Sequence, residues 1–175
     1  MDLGTALAIA QLVVATALTG GLALGLDQMR QLRRHRRDLA AVELMHTLQD
    51  ADFTRAFRTI YTLPVGVSAE ELRNRGSACE DAAQIVGVRY ETLGLLAHRG
   101  VIPFDLLSEL TGGATVALWS RLEKWVDAVR EEQAQSMYLE WFQWLAQQFV
   151  RLGRSTQEPA YLRYRTWRPW LVDRL

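Results

Sequence analysis

The sequence predicts an all-α protein: an N-terminal single transmembrane helix followed by a cytoplasmic bundle of about five helices. Three observations predict it. Leu3 to Leu26 is a run of 24 residues without a charge. A cluster of arginines follows at once. Beyond it, apolar residues recur at helical spacing, and no alternation of strand type persists over a useful length.

The uncharged run would rise about 36 Å as a helix, enough for a hydrocarbon core of about 30 Å. Its strongly apolar members are Leu3, Leu7, Ile9, Leu12, Val13, Val14, Leu18, Leu22, Leu24 and Leu26. Together they favour insertion by about 3 to 6 kcal/mol. Four glycines, three threonines and Gln11 offset part of that. A cleaved signal peptide fits less well, because the start is the acidic Met1-Asp2 and the apolar stretch is too long. A surface-lying helix would carry Lys or Arg on a polar face, and a soluble core helix would usually show charge on one side. Neither is present.

Arg30, Arg33, Arg34, Arg36 and Arg37 flank the run on its C-terminal side, against only Asp2 and the amine on the other. The positive-inside rule then puts the N-terminus outside and the rest of the chain in the cytoplasm, with a bacterial inner membrane as the location. The same arginines are candidates for binding anionic lipid. Residues 1–29 are thus expected as the anchor, 30–152 as the bundle with a basic start at 30–37, and 153–175 as a tail. Ala17, Gly21 and Gly25 lie four apart, the small-residue spacing that lets two membrane helices approach closely and self-associate.

Composition agrees. About 140 residues beyond the anchor suffice for one domain with a core. Formal charge is zero, which gives no general pull toward nucleic acid, so no nucleic-acid partner is expected. The single cysteine, Cys79, permits no internal disulfide and suits a reducing compartment. Nineteen Arg against one Lys reads as a GC-rich, bacterial coding bias.

No Pro or Gly interrupts Leu26 to Leu63, so the first helix can extend to about Gln49, with Ala41, Leu44, Met45 and Leu48 on one face. Asp50 or Asp52 can cap a short helix carrying Phe53, Phe57, Ile60 and Tyr61. Leu63-Pro64-Val65-Gly66-Val67 ends it. Ser68 and Glu71 form a capping-box pattern, followed by a long helix with Ala82, Ile85, Val86, Leu93 and Leu96 inward and Gly100 at its end. Pro103 begins a short helix with Leu106, Leu107 and Leu110, which Thr111-Gly112-Gly113 should break. Leu118, Leu122, Trp125 and Val129 form the next face. Tyr138, Trp141, Phe142, Leu145 and Phe149 form the last, closed by Gly153. One-sided helices of this kind bury their faces against one another.

Candidate sites are few. Glu43-x-x-His46 has the spacing used by di-iron bundles but occurs once, so no metal is expected. Cys79 lies near a helix start, but Glu80 and Asp81 adjoin it and oppose a reactive thiolate. No phosphate loop, dinucleotide fingerprint, zinc spacing or hydrolase elbow is present, so no catalytic residue, cofactor or enzymatic activity is assigned. The tail interleaves Tyr161, Arg163, Tyr164, Arg165, Trp167, Arg168 and Trp170. Such a pattern can stack on bases, sit at a membrane interface or anchor a protein partner. The leading expectation is that the rings fold back on the bundle, with partner contact next.

Several stretches carry a family resemblance: Asp52-Phe53-Thr54-Arg55-Ala56-Phe57, the capped Ser68–Glu71 helix, Tyr90-Glu91-Thr92-Leu93-Gly94-Leu95-Leu96, Arg99-Gly100-Val101-Ile102, Trp119-Ser120-Arg121-Leu122, Tyr138, and Phe142-x-Trp144-Leu145-Ala146. With the anchor and basic stretch, this layout resembles the bacterial domain of unknown function numbered 4760, over most of the chain. The resemblance implies a single-pass helical protein and carries over no functional residue. Some members are also similar in layout to abortive-infection proteins, a pointer toward phage defence.

The function expected from all this is a membrane-anchored interaction or sensing module that binds a protein partner or itself. The alternatives are a membrane-active defence effector, or an enzyme in which Glu43, His46, Glu91 and His98 converge.

Overall fold

Asp50 starts the first helix of the bundle by accepting the Phe53 backbone N–H at 2.8 Å on its carboxylate. This computed structural model describes residues 50–153 and 158–168, with Gly25, Gln28, Met29 and Leu48 as isolated positions. The chain divides into two units, Met1–Met45 and His46–Leu175. The described helices of the second unit are α1 (Ala51–Tyr61), α2 (Ala69–Asn74), α3 (Ser77–His98), α4 (Phe104–Gln133), α5 (Glu140–Arg151) and α6 (Ala160–Arg163). Among the described residues there is no strand. The all-α expectation therefore holds.

Local chemistry accounts for most of the ends. Ser68 and Glu71 form the reciprocal capping box that opens α2. Gly100 and Gly153 adopt left-handed backbone after α3 and α5, at φ +68° and +66°, where a Cβ would be strained.

Three expected helix boundaries fail for physical reasons. The helix opened by Ser68 is short, because Gly76 takes φ +101° and separates α2 from α3. Thr111-Gly112-Gly113 does not break α4, which runs unbroken for 30 residues. Two glycines cost about 2 kcal/mol relative to alanine. Continuous burial of Leu107, Thr111, Gly112, Thr115 and Leu118 along one face offsets this. The helix carrying the last apolar face begins at Glu140, so Tyr138 lies in the turn before it.

α3 touches α1, α2, α4 and α5. Its inward stripe consists of Cys79, Ala82, Ala83, Val86, Gly87, Tyr90, Leu93, Gly94 and Ala97. Ile85, expected inward, is exposed together with Val88 and Leu95; the packed stripe runs through Val86, Tyr90 and Leu93, with Gly87 and Gly94 where α5 comes closest. Rings link the elements across the core. Phe53 of α1 meets Tyr90 of α3 at 6.2 Å, Tyr90 stacks on Phe142 of α5 at 4.9 Å, and Phe142 meets Trp119 of α4 edge-on at 5.2 Å. Leu107, Leu118, Leu122, Leu145 and Phe149 are fully buried around them, each worth about 1.5–3 kcal/mol of burial.

Candidate functional site

At the α3–α5 seam the two helices approach closely. α5 has no side-chain cap of its own: its N-cap is Leu139, in left-handed backbone at φ 53°. The cap comes from α3 instead. Glu91 accepts the Phe142 backbone N–H at 2.9 Å, and the Trp141 N–H also acts on it. The first-turn N–H groups of a helix need such an acceptor, and a carboxylate suits the positive end of the helix dipole.

The close approach depends on two glycines one turn either side of Glu91. A Cβ on Gly94 would overlap the Trp141 carbonyl, and one on Gly87 would lie 2.6 Å from Leu139 Cδ1. Leu139 is itself buried, so burial offsets its backbone strain of about 1–2 kcal/mol. Burial raises the Glu91 pKa above its ordinary value; the Phe142 and Trp141 amides pull it back, Glu140 opposes them and Arg130 assists.

A second polar cluster joins α2, α3 and α4. Arg73 holds Glu132 with both terminal nitrogens at 2.7 Å and reaches Glu80 at 3.2 Å through Nε. Trp125 donates to the same Glu80 oxygen at 3.1 Å. The Trp125 bond, then the Arg73 bond, lowers the Glu80 pKa, and Arg73 lowers that of Glu132. A third contact ties the α1–α2 loop to α4: Arg121 donates to the Leu63 carbonyl at 2.8 Å and to Ala117 at 2.6 Å. Its guanidinium lies 4.9 Å from the Tyr61 ring centre. Gly66 N–H donates to the Ser120 carbonyl at 2.8 Å.

Between α1, α3 and α4 a largely apolar cleft of about 270 Å³ opens, lined by Leu48, Phe53, Phe57, Tyr90, Leu110 and Ala114 with Thr54 and Thr111. Tyr90 is buried at its base, its hydroxyl pushed up to about 12 by that burial despite a bond with Thr115. Leu110 stands at the cleft half exposed. The cleft can take an apolar side chain of a partner; it brings no pair of acid and base together.

The residues singled out from sequence fall as follows. Glu91 caps α5. His98, two turns along the same helix, sits among the Trp141 and Trp144 rings at 4.6 and 5.4 Å. Glu43 and His46, needed for the enzyme alternative, lie outside the described residues. Among the described residues no cluster could hold a metal ion. Cys79 is buried, and burial pushes its thiol pKa up, with Arg75 opposing and Glu80 adding.

Arg30, Arg33, Arg34, Arg36, Arg37, Ala17 and Gly21 lie outside the described residues, as does the rest of the expected anchor; Gly25 is helical and exposed. Among the described residues no helix is long and apolar enough to cross a membrane. In the tail, Tyr161, Arg163, Tyr164, Arg165, Trp167 and Arg168 are all exposed. The expected docking of these rings on the bundle is therefore not made; three arginines spread among them would have to be desolvated to bury the segment. Trp170 lies outside the described residues.

Sequence reasoning missed the pairing of Glu91 with α5. The signal available was Gly87-x-x-x-Glu91-x-x-Gly94, two small residues flanking an acid on one helical face. Stretches that carry the family resemblance have structural tasks among the described residues. Phe53 and Tyr90 join the ring chain, Glu91 and Gly94 form the seam, Gly100 ends α3, and Trp119, Ser120 and Arg121 hold α5 and the α1–α2 loop.

No curated protein and no solved structure matches the chain. The family described as domain of unknown function (DUF4760) matches residues 2–149, which include the seam, the cleft and the Arg121 contact. The chain belongs to that family.

Proposed function

We propose that the chain is a membrane-anchored interaction and sensing module without catalytic activity, presenting its helical bundle at the inner face of a bacterial membrane and engaging a partner protein there. The observation that carries this reading is the open apolar cleft between α1, α3 and α4, with Leu110 exposed at its edge. Large apolar side chains around a concave surface are what a partner helix or loop buries. The uncharged Leu3–Leu26 run and the arginines from Arg30 to Arg37 support the anchor and its direction. Ala17, Gly21 and Gly25 support self-association within the membrane. Glu91 and His98, candidates for a dispersed enzyme site, are engaged in a helix cap and in ring packing, which weighs toward binding.

The test is extraction in mild detergent, followed by affinity capture and mass measurement of the complex. Wild type is expected to return a defined partner or a self-assembly, and Leu110→Arg to lose the partner while remaining folded. A strictly monomeric wild type with nothing enriched over Leu110→Arg contradicts the reading.

A further inference from the structure

We propose that the C-terminal Tyr161–Arg168 segment is a second lipid contact, a surface for an anionic bilayer. It rests on the anchored reading above, which would keep the segment near a membrane. Tyr161 is 75% exposed, Trp167 53%, Tyr164 50% and Leu162 42%. Arg163, Arg165 and Arg168 stand among them, with no acidic residue between Pro159 and Arg168. Among the described residues no ion pair engages these arginines: those formed use Arg55, Arg73, Arg89 and Arg130. The Arg163 guanidinium instead lies over the Tyr164 ring at 4.8 Å and donates to its hydroxyl at 2.6 Å, so cation and ring are presented together.

Two independent preferences converge on one partner. Tyrosine and tryptophan concentrate at the membrane–water boundary, where the ring is buried and the polar edge stays wet. Arginines within a Debye length of anionic headgroups are drawn to them. A protein hot spot would use the same residue types, but held by a packed surround that excludes water. Here the whole segment is exposed around a single helical turn, α6. A fluid headgroup layer can accept that irregular surface without a matching pocket.

The experiment uses the full chain reconstituted in vesicles. Thr166→Cys carries an environment-sensitive fluorophore; Cys79 is buried and leaves position 166 as the accessible thiol. With phosphatidylglycerol in the vesicles, the probe is expected to emit to the blue of its position in pure phosphatidylcholine vesicles. High salt should reverse the shift. Replacing Arg163, Arg165 and Arg168 together by Gln should lower the bound-to-free ratio of the segment by on the order of 100-fold. Equal emission in the two lipids, with the chain still resisting alkaline extraction, overturns the lipid contact and leaves the anchor standing. A shift that survives the triple substitution overturns it as well. Release of the chain by alkaline wash overturns the anchored reading and this contact with it.

Discussion

Glu91 caps a helix to which it does not belong: its carboxylate accepts the Phe142 N–H at 2.9 Å across 51 positions of sequence. α5 begins at a leucine in left-handed backbone that has no side-chain acceptor to offer. The acid on α3 supplies the acceptor and, with Gly87 and Gly94, sets the distance at which the two helices pack.

Removing that acceptor leaves first-turn amides of α5 unsatisfied. Glu91→Ala should lower stability by about 1–2 kcal/mol, roughly 4–8 °C in Tm if each kcal/mol moves a domain of this size by about 4 °C. Glu91→Gln keeps an acceptor oxygen and should retain most of that stability. Thermal denaturation of the two variants followed by circular dichroism checks it; equal losses would show that the bond is not what matters.

The same pair separates by pH. Burial raises the Glu91 pKa. Its contribution is therefore fully present below the unfolded carboxyl value of about 4.3 and lost as pH rises through the folded value. Asp50, Glu71, Glu80 and Glu132 are lowered by their hydrogen bonds. Theirs is present above the unfolded values and lost as pH falls through the folded ones. The Tm of Glu91→Gln minus that of wild type should thus grow as pH is raised from 4 toward neutrality, while both proteins lose stability in acid. A difference that shrinks with rising pH has the wrong sign.

Gly94 and Gly113 should respond oppositely to alanine. At Gly94 a Cβ overlaps the Trp141 backbone, whereas at Gly113, also helical, nothing described lies within 4 Å. Gly94→Ala forces α5 away from α3 and should cost about 1–3 kcal/mol. Gly113→Ala should gain about 0.5–1 kcal/mol from helix propensity alone. Urea denaturation midpoints of the two variants give both signs.

Arg121 ties the α1–α2 loop to α4 through a fork that lysine cannot reproduce. Arg121→Ala and Arg121→Lys should each destabilise, by about 1–2 kcal/mol for the lost bonds to Leu63 and Ala117. The sharper readout is local: amide exchange at Gly66, whose N–H bonds Ser120, should quicken more than exchange in α5. Uniform acceleration across the bundle would contradict a local role.

What could be read from the sequence was what neighbours in sequence decide. The caps at Asp50 and Ser68, the stops at Gly100 and Gly153, and the Leu118, Leu122, Trp125, Val129 face all depend on residues within a turn or two. The misreadings share another cause. Gly112 and Gly113 look like a break until the packed face running through them is seen. Ile85 fits an inward spacing as well as Val86 does, and only the close packing of α5 on Gly87 and Gly94 selects the stripe through Val86 instead. Gly76 gave a turn signal that the run of helix formers around it obscured. The Glu91 seam and the cleft are contacts between distant segments, for which spacing along one helix gives no partner. The tail is a further misreading: its rings suggest docking on the bundle, but the three arginines among them resist burial, and Tyr161 to Arg168 are exposed.

The proposed anchoring of the bundle at the inner side of a membrane by the N-terminal run is open to a direct test. Protease added to intact spheroplasts expressing a C-terminally tagged chain tests it most directly. The chain is expected to stay in the alkali-washed membrane fraction, and its tagged bundle to survive until the cells are lysed and then to be digested. Digestion in intact spheroplasts, or release of the chain by the alkaline wash, would contradict it.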